Sequence, residues 1–251
     1  MEEKAADMIK IENLRFCYRM KRYVLEDISL SVGAGESVGI IGANGAGKST
    51  FLKILAGLLP DYEGEIQIAG FSLERKNYRE IRRKFGYVFQ DSDSQLFMNT
   101  VEQDVAFGPV NYGFAEELVK ESVREALEKT RIEKLAKRHV YRLSGGEKKL
   151  AAIAGILALQ QEQGVIVMDE PSASLDPANR ENLIQVIRDL KGAKLLASHD
   201  LDFIYDTCER TILLSEGRIV FDGETERILR DREALEKNGL RLPLSFRFSH
   251  R

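Results

Sequence analysis

Gly42-Ala-Asn44-Gly45-Ala-Gly47-Lys48-Ser49-Thr50 carries the spacing GxxxxGK[ST]. Those residue types in that order point to phosphate chemistry. Small residues let backbone N–H groups turn inward and wrap phosphate oxygens, and a helix that follows aims its positive end at the same charges. Lys48 is placed to reach β- and γ-phosphates, and the Ser49 hydroxyl to face Mg²⁺. The competing reading is a chance glycine-rich turn; an apolar strand before the loop and a helix after it argue against that. A second constellation is Val165-Ile-Val-Met-Asp169-Glu170. An apolar strand ending in an acid sets a carboxylate at the C-terminal edge of a sheet, where α/β folds bind ligands. Asp169 would hold Mg²⁺ through water, and Glu170, one residue on, would take a proton from an attacking water. Alone, this run reads equally as a strand with a solvated acidic turn. With the phosphate loop upstream it reads as the other half of one site.

Regular elements must hold these groups in place. Ser37-Val-Gly-Ile-Ile41 is a short apolar run suited to a strand covered on both faces, and Ser49 to Ala56 is helical in pattern, stopped near Gly57. Strand, glycine loop and helix open an α/β unit. Upstream, Ile9, Ile11 and Phe16 mark one strand, and Ile28 to Val32 alternates as another, half-buried. Ala115 to Lys129 sets Leu118, Val119, Val123, Ala126 and Leu127 among alternating charges, an amphipathic surface helix expected to continue from Ile132 to Arg138. Residues from about 91 to 160 read as a helical insertion in a core that resumes at Val165. A helix (Asn179 to Leu190), a strand (Leu195 to Ser198) and a helix (Leu201 to Cys208) follow. A hairpin then pairs Thr211–Leu214 with Arg218–Phe221 around Ser215-Glu216-Gly217. From about Glu224 a charged helix and an irregular tail are expected.

Composition narrows the function. The 251 residues suit one large domain with a modest appendage. The net charge of −3 argues against a chain that coats nucleic acid. With 43% hydrophobic and 31% charged residues the chain is globular rather than disordered. The longest apolar helical candidate, Leu150 to Leu159, is about half of the roughly 20 residues that a spanning helix needs. The start, Met1 to Asp7, is acidic and lacks the apolar core of a signal peptide. Cys17 and Cys208 form no CxxC pair and sit among apolar neighbours, which predicts two ordinary buried thiols in a reducing cytoplasm.

Between the two phosphate motifs stands Leu143-Ser144-Gly145-Gly146-Glu147. With that run the sequence resembles the ATP-binding cassette (ABC) ATPases from about Ile9 to about Gly223. Read alone, it is a helix N-cap; it is also a helix N-terminus with two glycines and a hydroxyl, a second anion site. The resemblance implies an α/β P-loop cassette: an N-terminal antiparallel β region, a mainly parallel core sheet and a helical insertion, over residues 1–223. A short helical extension and tail would fill 224–251. It implies ATP and Mg²⁺ as ligands. It also implies a second ABC ATPase, identical or paralogous, packed head to tail so that Ser144, Gly145 and Gly146 of each chain close on the ATP of the other. Tyr18, 30 residues before Lys48, resembles the aromatic that stacks on adenine; the alternatives are a core tyrosine, or Tyr23 in that role. Gln90, after Tyr87-Val-Phe89, resembles the glutamine that touches Mg²⁺ and moves with the membrane subunit. Asp176, in Ser174-Leu-Asp176, resembles the loop that crosses the dimer interface, where a plain helix start before Pro177 is the alternative. His199 resembles the histidine that contacts the γ-phosphate.

Phe89-Gln-Asp-Ser-Asp-Ser-Gln-Leu-Phe97, then Thr100 to Pro109, is similar to the cassettes of energy-coupling factor importers, which carry cobalt, nickel or B vitamins. So are Ile153-Ala-Gly-Ile156 and the tail Asn238 to Pro243. Two departures stand out: Ser92 and Asn99 occupy places where that family has proline, and Leu150 a place where it has arginine. This branch implies integral membrane partners, a peripheral position on the cytoplasmic face of the membrane, and no direct contact between the ATPase and the transported substrate. Leu96, Phe97 and Met98 form an apolar run of which some should meet a partner and some the core. The competing function is a soluble ABC ATPase, as in iron–sulfur cluster assembly.

Overall fold

A computed structural model describes residues 7–19, 22–160 and 164–247. The acidic run before Asp7 and the last residues of the tail lie outside the described residues. Two sheets form the frame. The first has strands β1 (Asp7–Cys17), β2 (Tyr23–Gly33), β4 (Glu63–Ile68) and β5 (Phe71–Ser72), all antiparallel in the order β2-β1-β4-β5. The second runs β10 (Arg218–Glu224), β9 (Arg210–Ser215), β3 (Ser37–Ile41), β8 (Ala193–Ala197), β7 (Val165–Asp169), β6 (Phe85–Val88). Only its edge strand β10 is antiparallel; the rest pair in parallel. This is the expected α/β class.

The apolar pattern explains the layering. β3, β7 and β8 are buried at every position. Val38, Ile40, Val167 and Leu195 enter one cluster, with the antiparallel sheet and helix α1 (Lys48–Leu55). Ile41, Met168, Leu196 and Leu213 enter the other. That second cluster also takes in the insertion helices α3 (Val101–Asn111), α4 (Glu116–Lys129) and α5 (Gly145–Leu159), with α6 (Pro177–Asp189) and α7 (Leu201–Thr207). The remaining early helix is α2 (Tyr78–Lys84). In β1 the buried series Ile9, Ile11, Leu14, Phe16 slips by one residue at Asn13, φ 52°. Ile11 faces Leu30 but Leu14 faces Ile28, so a bulge restores the inward face.

Three expectations need correction. Ile132 to Arg138 does not continue the preceding helix. The chain turns at Arg131, φ 61°, and makes only a 3₁₀ turn at Glu133–Leu135. The turn buries Ile132 and lets the carbonyls of Ala136 and Arg138 accept the Glu102 and Val101 N–H groups at the start of α3. The charged C-terminal helix is broken into α8 (Thr225–Arg230), α9 (Arg232–Lys237) and α10 (Leu244–Arg247). Asp231 ends α8, and its side chain accepts from Ala234 N–H to cap α9. Of the cysteines, Cys208 is buried and Cys17 is only half-buried, at the end of β1.

Candidate functional site: a phosphate-loop cavity

β3 ends at Ile41 and α1 begins at Lys48, so the glycine-rich loop spans the C-terminal edge of the core sheet. Gly47 takes φ 108°, and a Cβ there would stand 2.8 Å from a Leu25 methyl and 3.1 Å from the Val24 carbonyl oxygen. Only glycine turns the chain this close to β2. Phe51 N–H donates to Gly47 O at 2.9 Å, starting the helix, and Gly217 N–H donates to Ala46 O at 3.2 Å, tying the loop to the β9–β10 turn. Lys48 is buried. Its ammonium donates to Gly42 O (2.7 Å) and Ala43 O (3.3 Å). Burial holds it below the usual lysine range, while the charges of Glu170 and Asp169 pull the other way.

A cavity of about 430 Å³ is lined by Asn44 to Thr50 together with Val24, Gln90, Glu170 and His199. Residues far apart in the chain thus share one space. Asp169, the last residue of β7, accepts from Ser49 Oγ at 3.2 Å and from the Tyr87 hydroxyl at 3.3 Å. Burial pushes its carboxyl up, and the Ser49 hydrogen bond draws it down. The Tyr87 phenol is raised, chiefly by burial and then by the Asp169 charge. Glu170 follows in the left-handed backbone region, φ 48°, with its N–H on Ala197 O at 2.8 Å. One of its oxygens, Oε2, receives Ser198 Oγ–H (3.2 Å) and His199 N–H (3.1 Å) and lies 2.6 Å from His199 Nδ1.

Donor chemistry fits Mg²⁺. A carboxylate, a hydroxyl and a side-chain amide oxygen (Asp169, Ser49, Gln90) are hard oxygen donors, and a Mg²⁺ that also binds phosphates needs few protein ligands. Among the described residues no group of three or more His, Cys, Asp or Glu could hold a metal without such help. Tyr18 lies beside the loop, half-exposed, with its hydroxyl 3.3 Å from Thr50 Oγ1 and its ring edge-on to Phe16. Tyr23 instead reaches Glu63 at 3.4 Å.

Ser144, Gly145, Gly146 and Asp176 do not line this cavity. Ser144 caps α5 in a reciprocal box with Glu147. Gly145 stands in the open, whereas a Cβ on Gly146 would strike Asn179 at 2.6 Å. Asp176 caps α6 through Asn179 N–H at 2.9 Å. These residues form a second surface built from two adjoining helix starts. Of the two family departures, Leu150 is buried in the core beside Ile153, and Ser92 opens a short 3₁₀ turn with Asp91 accepting from Asp93 N–H. Tyr87, Ser198 and Lys149, whose ammonium donates to Gln90 O at 2.9 Å, are site residues that sequence reasoning missed. Tyr87 sits beside Val167 through parallel pairing of strands distant in the chain, a register no local pattern encodes.

A family model described as ABC transporter matches residues 25–173. A putative ABC transporter ATP-binding protein of Gloeobacter violaceus is 46% identical, over 94% of this chain and 96% of its own length. The energy-coupling factor transporter ATP-binding protein EcfA of Methanothermobacter thermautotrophicus is 41% identical, over 94% of this chain and 77% of its own. The solved structure of CbiO1 from Clostridium perfringens, part of the ABC transporter complex CbiONQ, superposes with a TM-score of 0.81 at 33% identity. That match covers 92% of this chain and 94% of that one.

Proposed function

Since the chain belongs to the ABC transporter family and is an ATP-binding ATPase, we propose that it powers a membrane importer of the energy-coupling factor type, for a metal ion or a B vitamin. The likeness to EcfA and CbiO1 carries the importer part of this reading, and the division of the motifs between two surfaces carries the pairing of two cassettes. One cavity gathers the phosphate loop, Gln90, Glu170 and His199, while Ser144, Gly145 and Asp176 lie outside it. A second cassette, identical or paralogous, brings its own signature surface to this cavity, and ATP drives the closure.

Within the cavity Lys48 holds the β- and γ-phosphates, and the N–H groups of Asn44, Gly45 and Gly47 line the same charges. Gly42 sets the turn, and Thr50 continues the helix start. Tyr18 stacks on the adenine. Ser49, Asp169 and Gln90 hold Mg²⁺, which when bound neutralises charge on the phosphate oxygens. Glu170 accepts the proton of the attacking water, and His199 contacts the γ-phosphate, each needing to stand within hydrogen-bond reach of its target. The likeness to EcfA and to CbiO1 supports a membrane partner. Peripheral attachment at the cytoplasmic face follows from that membrane partner; among the described residues no helix is long and apolar enough to cross a membrane. Phe97, 62% exposed, and Met98, 36%, present the apolar surface for that attachment, while Leu96 turns into the core. The transported substrate touches the membrane subunits only.

The test is assembly with candidate membrane subunits in vesicles, with uptake and ATP hydrolysis followed together. Lys48→Ala should lose most nucleotide affinity, read by fluorescent-nucleotide titration, and with it uptake. A Lys48→Ala chain that binds and hydrolyses ATP normally overturns the site. ATPase activity that no membrane subunit stimulates overturns the importer reading.

A further inference from the structure

Lys149 follows the signature start by one helical turn and is 3% exposed. Its ammonium donates to the backbone carbonyl of Gln90 at 2.9 Å. Burial holds it below the usual lysine range, and Asp169, Asp91 and Glu170 are the charges that favour its ionised form. Burying an ammonium is costly unless partners compensate. Packing does not call for one here: Leu150, Ile153 and Ala154 already give α5 its apolar face. The preceding Lys148 pairs with Asp93. The intervening loop is closed on itself by Gln95, which accepts from Phe89 N–H (3.1 Å) and donates to Tyr87 O (2.9 Å). Consecutive lysines of one helix therefore grip a loop that is already a unit, and the inner one does so at Gln90.

We propose that Lys149 is a positioning residue for ATP hydrolysis: by holding the Gln90 backbone it sets the Gln90 side chain relative to Asp169 and ties that setting to the signature end of α5. The inference rests on the reading of Gln90 as a Mg²⁺ contact. Ser144 to Gly146 stand within about a turn and a half of both lysines on the same helix, so a displacement of that helix start carries Gln90 with it. Lys148–Asp93 and the packing of Leu96 hold the rest of the loop to α5, but the hold on Gln90 itself is one hydrogen-bonded ammonium, which is why it is open to substitution.

The experiment measures kcat, the KM for ATP and the Mg²⁺ concentration for half-maximal hydrolysis in the full chain carrying Gln90→Ala, Lys149→Met, Lys149→Gln and the Gln90→Ala/Lys149→Met pair. Lys149→Met should lower kcat about ten- to a hundredfold, as a misplaced group does. It should raise the Mg²⁺ requirement in the same direction as Gln90→Ala, with nucleotide binding in excess chelator unchanged. Lys149→Gln, which keeps a donor, should recover part of the loss. The pair should be no worse than Gln90→Ala, because both changes remove one linkage. Lys149→Gln can be paired with Gln90→Ala in the same way, so the test does not depend on the methionine variant folding. Wild-type behaviour of Lys149→Met beside an impaired Gln90→Ala overturns the role of Lys149 alone, as do losses that simply add. A Gln90→Ala chain with an unchanged Mg²⁺ requirement overturns the reading of Gln90, and the Lys149 proposal falls with it.

Discussion

Glu170 occupies a backbone conformation that non-glycine residues avoid, φ 48°, at a typical cost of ~1–3 kcal/mol that only an over-determined surrounding sustains. Its N–H is held by Ala197 O, and its carboxylate by Ser198 and His199. Glu170→Gln preserves that frame and removes the basicity. Steady-state hydrolysis should fall by roughly 10²–10⁴ while ATP remains bound. Light scattering with ATP and Mg²⁺ should then show an accumulated dimer, alone or with a paralogous cassette. A variant that still turns over at the wild-type rate means the water is activated elsewhere. The residues of this centre were legible from sequence where they are contiguous, as in Gly42 to Ser49 or Asp169-Glu170. Tyr87 and Ser198 were not, because they arrive through strand register and through the turn after β8.

Among elements, the C-terminal helices show how a short segment can be held by one carboxylate and one ring. Asp202 on α7 accepts from Leu244 N–H at 2.8 Å and Ser245 N–H at 3.0 Å, while Phe246 packs edge-on to Tyr205 and lies under Arg230. Burial pushes the Asp202 carboxyl up, but the bonds from Ser245 and Leu244 outweigh it and leave it below its ordinary value. A carboxyl lowered on folding contributes stability above its unfolded pKa of about 3.9 and loses it as pH falls through the folded value. Docking of α10 should thus be complete at neutral pH and weaken below about pH 4. Asp202→Asn should loosen it at pH 7 as well. Hydrogen exchange at residues 244–247 reads both; unchanged protection in Asp202→Asn would assign the docking to Phe246 alone. The sequence pattern showed charge and helical propensity here but not the break at Asp231. A helix and its own N-cap aspartate use the same residue types, and only the tertiary turn separates them. β3, β7 and β8 were readable because burial on both faces demands unbroken apolar runs.

At the scale of the molecule, the proposed importer asks two faces to serve two partners at once. On the insertion side the Phe97 and Met98 N–H groups are both held by Asp104 at 2.8 Å, and the Phe97 ring stands edge-on to Phe107. Phe97→Asp should reduce co-purification with the membrane subunit and reduce uptake, leaving nucleotide binding by the free chain intact. Wild-type recovery of the complex would move the docking surface elsewhere. The core sheet imposes one more condition, on how the chain is made. β3, which launches the phosphate loop, pairs only with β8 and β9; Val38 lies opposite Leu195 and Arg210. Both partners are encoded more than 150 residues later. At ribosomal rates of ~5–20 residues per second, roughly ten seconds or more separate the emergence of β3 from that of its neighbours. The antiparallel strands β1, β2 and β4 can pair early in that interval and cover Val38 and Ile40 with α1, whereas β3 must wait for its strand partners with Ile41 uncovered and a long loop still to close. The phosphate loop is among the first parts of the site to be synthesised and among the last to take its shape.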